Sequence, residues 1–191
     1  RQPEFTQLDL EMGFVNEYDV LNIMEELFTK LVETVSPEKK LIKPFPRLTY
    51  NEVMERFGTD KPDLRFDLEL RDLSEIVKTS EFQVFSKTVN SGGVVKGFVA
   101  PGCNGYTRKE IEELQNFAQE RGASGLVTIA LDGNPKTPIE TLLEEEFRSP
   151  VARHLKIGEV IDISSKLGAK RGDLMLIIAG ENKVVDTALS Q

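Results

Sequence analysis

The chain has 191 residues and a mass of 21.5 kDa, with 24 Lys and Arg against 32 Asp and Glu, a formal net charge of −8 and a pI near 4.9. With 39% hydrophobic and 29% charged residues it can bury a core, in one domain or two small ones, and is too apolar for a disordered chain. Its field repels polyanions, which excludes general DNA coating, and its single cysteine excludes an intramolecular disulfide or a thiol metal cluster.

From Phe5 to Val15 the sequence FTQLDLEMGFV alternates. Leu8, Leu10, Met12 and Phe14 fall on one face, and Gln7, Asp9 and Glu11 on the other, which predicts a strand. A ligand-binding face and an ordinary edge or surface strand give the same alternation. Asn16 and Asp19 form a capping pattern ahead of Val20, Ile23, Met24, Leu27, Leu31 and Val35, predicting an amphipathic helix that ends before Pro37. SPEKKLIKPFPR, with three prolines, reads as an extended connector. Thr49 with Glu52 caps a short second helix that Gly58 stops.

Residues 59–65, TDKPDLR, are polar and centred on Pro62, and place a domain boundary between residues 63 and 64. The first part holds 8 cations and 13 acids (−5) and the second 16 and 19 (−3), so neither is basic. Beyond it, Asp72 caps a helix through Val77, and FQVF and VVKGFV flank NSGG as a hairpin. Thr107 and Glu110 cap a helix carrying Ile111, Leu114, Phe117 and Ala118, with Gly122 as its stop. GLVTIAL (125–131) and DLMLIIA (173–179) are apolar runs of central strands. Pro150 opens a helix over PVARHL, and another starts near Asn182. The fold class expected for this part is α+β, an antiparallel or mixed sheet with helices on one side.

Little in the pattern speaks of covalent chemistry. His154 is the only histidine, so a Ser-His or Cys-His pair would rest on it alone, and its plain reading is a surface or packing residue. Cys103 reads as a small turn residue, Ser91–Gly93 as a turn tip, and Glu144–Glu146 as a solvated face rather than a metal site. No apolar run reaches the roughly 20 residues of a bilayer span, and no signal pattern opens the chain, which points to a reducing, cytoplasmic setting. Arg1 stands where Met would open a protein, which suggests an excised piece.

Some segments are more specific. RQPEFTQLDLEMGFV (Arg1 to Val15) resembles the second half of motif 2 of the class II aminoacyl-tRNA synthetases, in the form of the bacterial-type aspartyl enzymes. FPRLTYNEVMERFGTDKPDLR (Phe45 to Arg65) resembles the stretch by which that family leaves its catalytic domain and enters a large insertion, the GAD domain. PGCNGYTRKEIEEL (Pro101 to Leu114) and SPVARHL (Ser149 to Leu155) are similar to that insertion. The resemblance implies residues 1–63 as a remnant of the catalytic antiparallel sheet, a strand plus helices, and 64–191 as the inserted α+β domain.

It further implies an ATP- and Mg²⁺-dependent ligase, homodimeric and cytoplasmic, that activates aspartate as an adenylate and transfers it to tRNA(Asp). Gln2 would face the nucleotide, with Arg1 near ATP or the tRNA end, and Gln7 and Asp9 would face the amino group of the aspartyl moiety. Glu4 is a lesser candidate for substrate contact and Glu11 is structural. An ammonium in a dry pocket needs a carboxylate and an amide oxygen on a rigid sheet, so chemistry and pattern agree. Activation by in-line attack runs on positioning rather than on a protein nucleophile, so no catalytic side chain is expected in this stretch. The first half of motif 2, motifs 1 and 3 and the anticodon-binding barrel are not in the sequence, so by itself it is expected to be inactive and to hold no cofactor.

Arg108, Lys109, Lys170 and Arg171 are the candidate tRNA contacts, and sequence order leaves open whether they meet. Two readings stand beside this one. GAD modules also occur in a subunit of a tRNA-dependent amidotransferase, as non-catalytic docking or spacing elements, but RQPEFTQLDLE argues against that origin. For residues 64–191 a purely structural insertion also stays open.

Overall fold

A computed structural model describes residues 3–191, which form two compact units, one ending at Leu48 and one comprising Thr49–Gln191.

The first unit is built on helix α1 (Glu17–Val35). Its start is the expected capping box: the Asn16 side chain accepts from the Tyr18 and Asp19 amides at 2.9 and 3.3 Å, and Asp19 accepts from the Asn16 amide at 2.9 Å. The proline-containing connector folds back along α1. Glu25 accepts from the Phe45 amide at 2.8 Å, Arg47 donates to Asn22 at 2.7 Å, and the Arg47 guanidinium lies 5.7 Å from the centre of the Tyr18 ring. No residue of α1 is fully buried. Residues 4–12 are exposed and form neither helix nor strand among the described residues. The strand expected over Phe5–Val15 is therefore not formed: alternation sets the two faces, but a strand also needs a hydrogen-bonded neighbour.

In the second unit, α2 (Tyr50–Phe57) carries the Thr49–Glu52 capping box and ends at Gly58, whose φ of 68° is the left-handed stop. A Cβ at Gly58 would lie 3.0 Å from the Asp186 carbonyl oxygen, so packing as well as φ selects glycine. Val53 and Phe57 are buried, the Arg56 carbonyl accepts from the Leu70 amide at 2.7 Å, and Arg56 pairs with Glu69. These ties hold α2 within the second unit.

The remaining elements are β1 (Arg71–Asp72), α3 (Ser74–Val77), α4 (Gln83–Asn90), β2 (Val94–Ala100), α5 (Arg108–Glu120), β3 (Val127–Leu131), β4 (Phe147–Arg148), α6 (Ile157–Leu167), β5 (Leu174–Gly180) and α7 (Asn182–Leu189). The five strands form one sheet in the order β1-β2-β5-β3-β4 with every pair antiparallel. The fold is thus α+β.

Helices cover both faces, not one. Met175 and Ile177 of β5 pack with Leu73, Phe85, Val160 and Ile163 of the α3–α4–α6 side. Leu174, Leu176 and Ile178 pack with Ala118, Val185 and Ala188 of the α5–α7 side. FQVF is the first turn of α4 and not a strand: Phe82, Phe85 and Val89 recur at helical spacing and pack on one core, so the glycine turn joins a helix to β2. PVARHL forms only a short 3₁₀ turn at Ala152–His154, and α6 follows it unanticipated.

One buried ion pair joins the layers. Lys96 of β2 reaches Asp186 of α7 at 2.7 Å with both side chains under a tenth exposed, and Asn182 donates to the other Asp186 oxygen at 3.0 Å. Removing one member of such a pair leaves an uncompensated buried charge. Asp186→Ala should cost about 3–5 kcal/mol in urea unfolding, and Lys96→Met with Asp186→Leu should recover much of it; a cost below that of an exposed pair would show the charges to be solvated.

Candidate functional site

Arg1 and Gln2 lie outside the described residues. Gln7 and Asp9 are exposed in the segment before α1, alternating in sequence with Leu8 and Leu10 at 72% and 54% exposure. In the first unit the polar Gln7 and Asp9 and the apolar Leu8 and Leu10 are thus all exposed to solvent. Among the described residues no strand pairs with this segment.

The second candidate lies at one end of the sheet. Antiparallel pairing sets the end of β2 (Ala100) beside the start of β5 (Leu174), which in turn faces Ala130 near the end of β3. The loops that follow β2 and β3 and precede β5 therefore meet. Gly102 donates to Asp173 at 2.9 Å, the Asn104 amide to the Gly172 carbonyl at 3.1 Å, and the Gly172 amide to the Leu131 carbonyl at 2.7 Å. Arg148 of β4 completes the join, binding both oxygens of Asp132 at 2.7 and 3.0 Å and the Asn104 carbonyl at 2.8 Å. This guanidinium holds the Asp132 carboxyl below the usual carboxylate range.

Of the four candidate tRNA contacts, this geometry brings three to the same end of the sheet. Arg108 and Lys109 are exposed at the start of α5, with Glu113 no nearer than 3.8 Å to Lys109, and Lys170 is exposed in the turn before β5. Arg171 is the correction: it is 2% exposed and points inward. Its guanidinium donates to the carbonyls of Thr137, Pro138 and Thr141 at 3.2, 2.6 and 3.0 Å and to Glu146 at 2.7 Å. It clamps the loop between β3 and β4 and has no surface to offer a phosphate. Gly133, at φ 106°, makes room for it, since a Cβ there would sit 2.8 Å from Arg171 Cδ.

Two further lysines, Lys136 and Lys166, stand near the same end of the sheet. Both are exposed, Lys136 beside Pro135, whose ring approaches Gly172, and Lys166 in the last turn of α6. Only strand polarity reveals them. Exposed Glu140, Glu144 and Glu145 lie on the neighbouring loop, so the charge here is mixed, and any phosphate contact would use individual side chains and not a broad field.

The remaining reactive groups are not arranged as a nucleophile and base. His154 is exposed, accepts from Arg153 at 3.0 Å and stacks near Phe82, while Cys103 lies within 3.5 Å of the Pro101 carbonyl oxygen. Among the described residues no group of three or more His, Cys, Asp or Glu side chains could hold a metal ion, and no helix is long and apolar enough to cross a membrane.

The family model for class II tRNA synthetases (D, K and N) matches residues 1–177. An aspartate–tRNA(Asp/Asn) ligase of Dehalococcoides mccartyi is 47% identical over 191 residues, covering 100% of this chain and 32% of the relative. Ligases of the same name from Rubrobacter xylanophilus and Moorella thermoacetica are 43% and 45% identical over 100% and 99% of this chain, and 30% of each relative. The chain spans about a third of the length of these relatives.

The Arg171 clamp has a pH signature. Its guanidinium first, and the Leu143 amide second, hold the Glu146 carboxyl below its ordinary range. A depressed carboxylate adds stability above its unfolded-state pKa of about 4.3 and loses it as pH falls through the lower folded value. Arg171→Met should lower the urea midpoint at neutral pH, by a margin that narrows as the medium is acidified below about pH 4. A pH-independent loss would assign the effect to packing alone.

Proposed function

The chain belongs to the class II tRNA synthetases of the Asp, Lys and Asn group, and from that membership we propose that it is a stretch of an aspartate–tRNA ligase. The observation that carries the reading is the match of the whole chain to ligases of that name at 42–47% identity. The enzyme is a cytoplasmic homodimer that activates aspartate with ATP and passes it to tRNA(Asp).

In this reading residues 1–63 belong to the catalytic domain and 64–191 are the GAD insertion. In a whole ligase the segment Phe5–Val15 would gain the hydrogen-bonded neighbour it lacks here and become a strand of the catalytic sheet, its apolar row covered and its polar row facing substrate. Gln7 and Asp9 hold the aspartyl ammonium: the carboxylate supplies opposite charge, the amide oxygen accepts a second N–H, and a sheet fixes both at low entropic cost. Gln2 and Arg1 serve the nucleotide and the tRNA end. Mg²⁺ goes with ATP in the family, but the described residues do not fit a metal site and none is assigned to it. The in-line attack of the aspartate carboxylate on the α-phosphate then depends on placement and charge neutralisation.

For the insertion, Arg108, Lys109 and Lys170, joined by Lys136 and Lys166, are the side chains that would touch tRNA phosphates. The second reading, a spacer that binds nothing, is favoured by the exposed glutamates on the neighbouring loop.

Two experiments test this. In a ligase carrying this stretch, Asp9→Asn and Gln7→Ala should raise the KM for aspartate in ATP–pyrophosphate exchange by about 10- to 100-fold, the worth of a hydrogen bond to a charged group, with the KM for ATP little changed. An unchanged aspartate KM would remove both residues from the site. Binding of the 191-residue chain to tRNA(Asp) across a salt series, against a non-cognate tRNA, should show a salt slope that falls in Lys136→Glu and Lys170→Glu; no binding at low salt would make the insertion a spacer.

A further inference from the structure

The loops that meet at the end of the sheet carry two dipeptides open to the same self-reaction, Asn104–Gly105 and Asp132–Gly133. In each, the glycine nitrogen can attack the side-chain carbonyl carbon of the residue before it and close a cyclic imide. Glycine favours the attack because no Cβ obstructs it. The structure separates the two. Gly105 is exposed, a Cβ there would meet nothing within 4 Å, and its amide has no hydrogen-bond partner among the described residues. Gly133 is backed by Arg171, whose Cδ would lie 2.8 Å from a Cβ there. Asp132 is moreover held as a carboxylate by Arg148, and a carboxylate is a poor target for a nucleophile. Elsewhere the attacking amide is absent or tied. Asn134 precedes Pro135, which has no N–H. The Ser91 amide after Asn90 donates to the Lys87 carbonyl at 3.0 Å, and the Glu52 amide after Asn51 to the Thr49 hydroxyl at 3.2 Å.

Arg148 activates the open site. Its guanidinium donates at 2.8 Å to the Asn104 carbonyl oxygen, and that carbonyl shares one resonant peptide group with the Gly105 nitrogen. A cation on the oxygen stabilises the negative charge that the nitrogen gains on losing its proton, so the nucleophile forms more readily. The Asn104 carboxamide donates to Asp132 at 3.0 Å, a single bond that breaks as the ring closes.

We propose that Asn104 is a site of spontaneous deamidation in the folded protein, promoted by Arg148 and ending as aspartate or isoaspartate. Solvent hydroxide takes the Gly105 amide proton, the nitrogen bonds to Asn104 Cγ, and the Cγ–Nδ2 bond breaks. Nδ2 leaves as ammonia with a proton from water. Water then adds to either imide carbonyl and opens the ring. The product alters the join between the loops: a carboxylate at position 104 cannot donate to Asp132, and two carboxylates compete for Arg148 where one hydrogen bond stood. The proposal does not depend on the ligase reading.

The test incubates the 191-residue chain in mildly alkaline buffer, with and without urea, and maps the digested protein by mass spectrometry for the amide-to-acid mass gain. In the folded chain conversion should appear first at Asn104, with isoaspartate identified by electron-transfer fragmentation and ammonia released in equal amount. Gly105→Val, whose side chain enters open space, should nearly abolish it, and Arg148→Met should slow it. Asn104→Asp, which stands for one product, should lower the urea midpoint at neutral pH. Conversion only in urea, conversion first at another asparagine, or an unaltered rate in Gly105→Val would overturn the site. Faster conversion in Arg148→Met would make the arginine a restraint and overturn its role, and an unchanged midpoint in Asn104→Asp would overturn the effect on the join.

Discussion

Strand β5 has no polar face. Met175 and Ile177 point to one side and Leu174, Leu176 and Ile178 to the other, all nearly solvent-free. A strand of that composition is stable only when both sides of its sheet are covered, and the rest of the second unit follows from this need. α3, α4 and α6 close one side, α5 and α7 the other. The position of β5 between β2 and β3 lets both neighbours share its hydrogen bonds and its two cores.

Charges finish what apolar burial begins. Lys96 and Asp186 sit where β2 meets α7, a place where hydrophobic contact alone would leave the helix free to slide along the sheet. At the loop end, Arg171 and Arg148 perform a related task with backbone carbonyls and carboxylates. Arginine suits such joints because its planar fork reaches several acceptors at once. The same residue type that would bind phosphate at the surface thereby becomes a brace when loops wrap it.

Much of this was legible from local signals. The boxes Asn16–Asp19, Thr49–Glu52 and Thr107–Glu110 each marked a helix start that the structure reproduces, because caps act within a single turn. The apolar runs around Ile129 and Ile177 likewise declared central strands. What failed depends on long-range contacts. The fate of Phe82–Phe85 turned on which core received them, and both a strand and a helix could present those rings. α6 was hidden although Val160, Ile163 and Leu167 recur at helical spacing ahead of Gly168, since no side-chain cap marks its start. Residues 5–15 had the pattern of a strand and lacked a neighbour. Among the site residues, the exposed Arg108 and Lys170 and the buried Arg171 look alike in sequence. Only the path of the loop after β3 separates them.

The two outermost strands, β1 and β4, are each 2 residues long. A sheet exposes unpaired N–H and C=O groups along its margins, and long margins act as templates for other chains. Here each outermost strand offers only two residues, while β2 and β3 run on past them without a strand partner on that side. The sheet therefore ends in short, stepped margins, which offer another chain little continuous length to pair with and leave the inner strands room to take on a further segment.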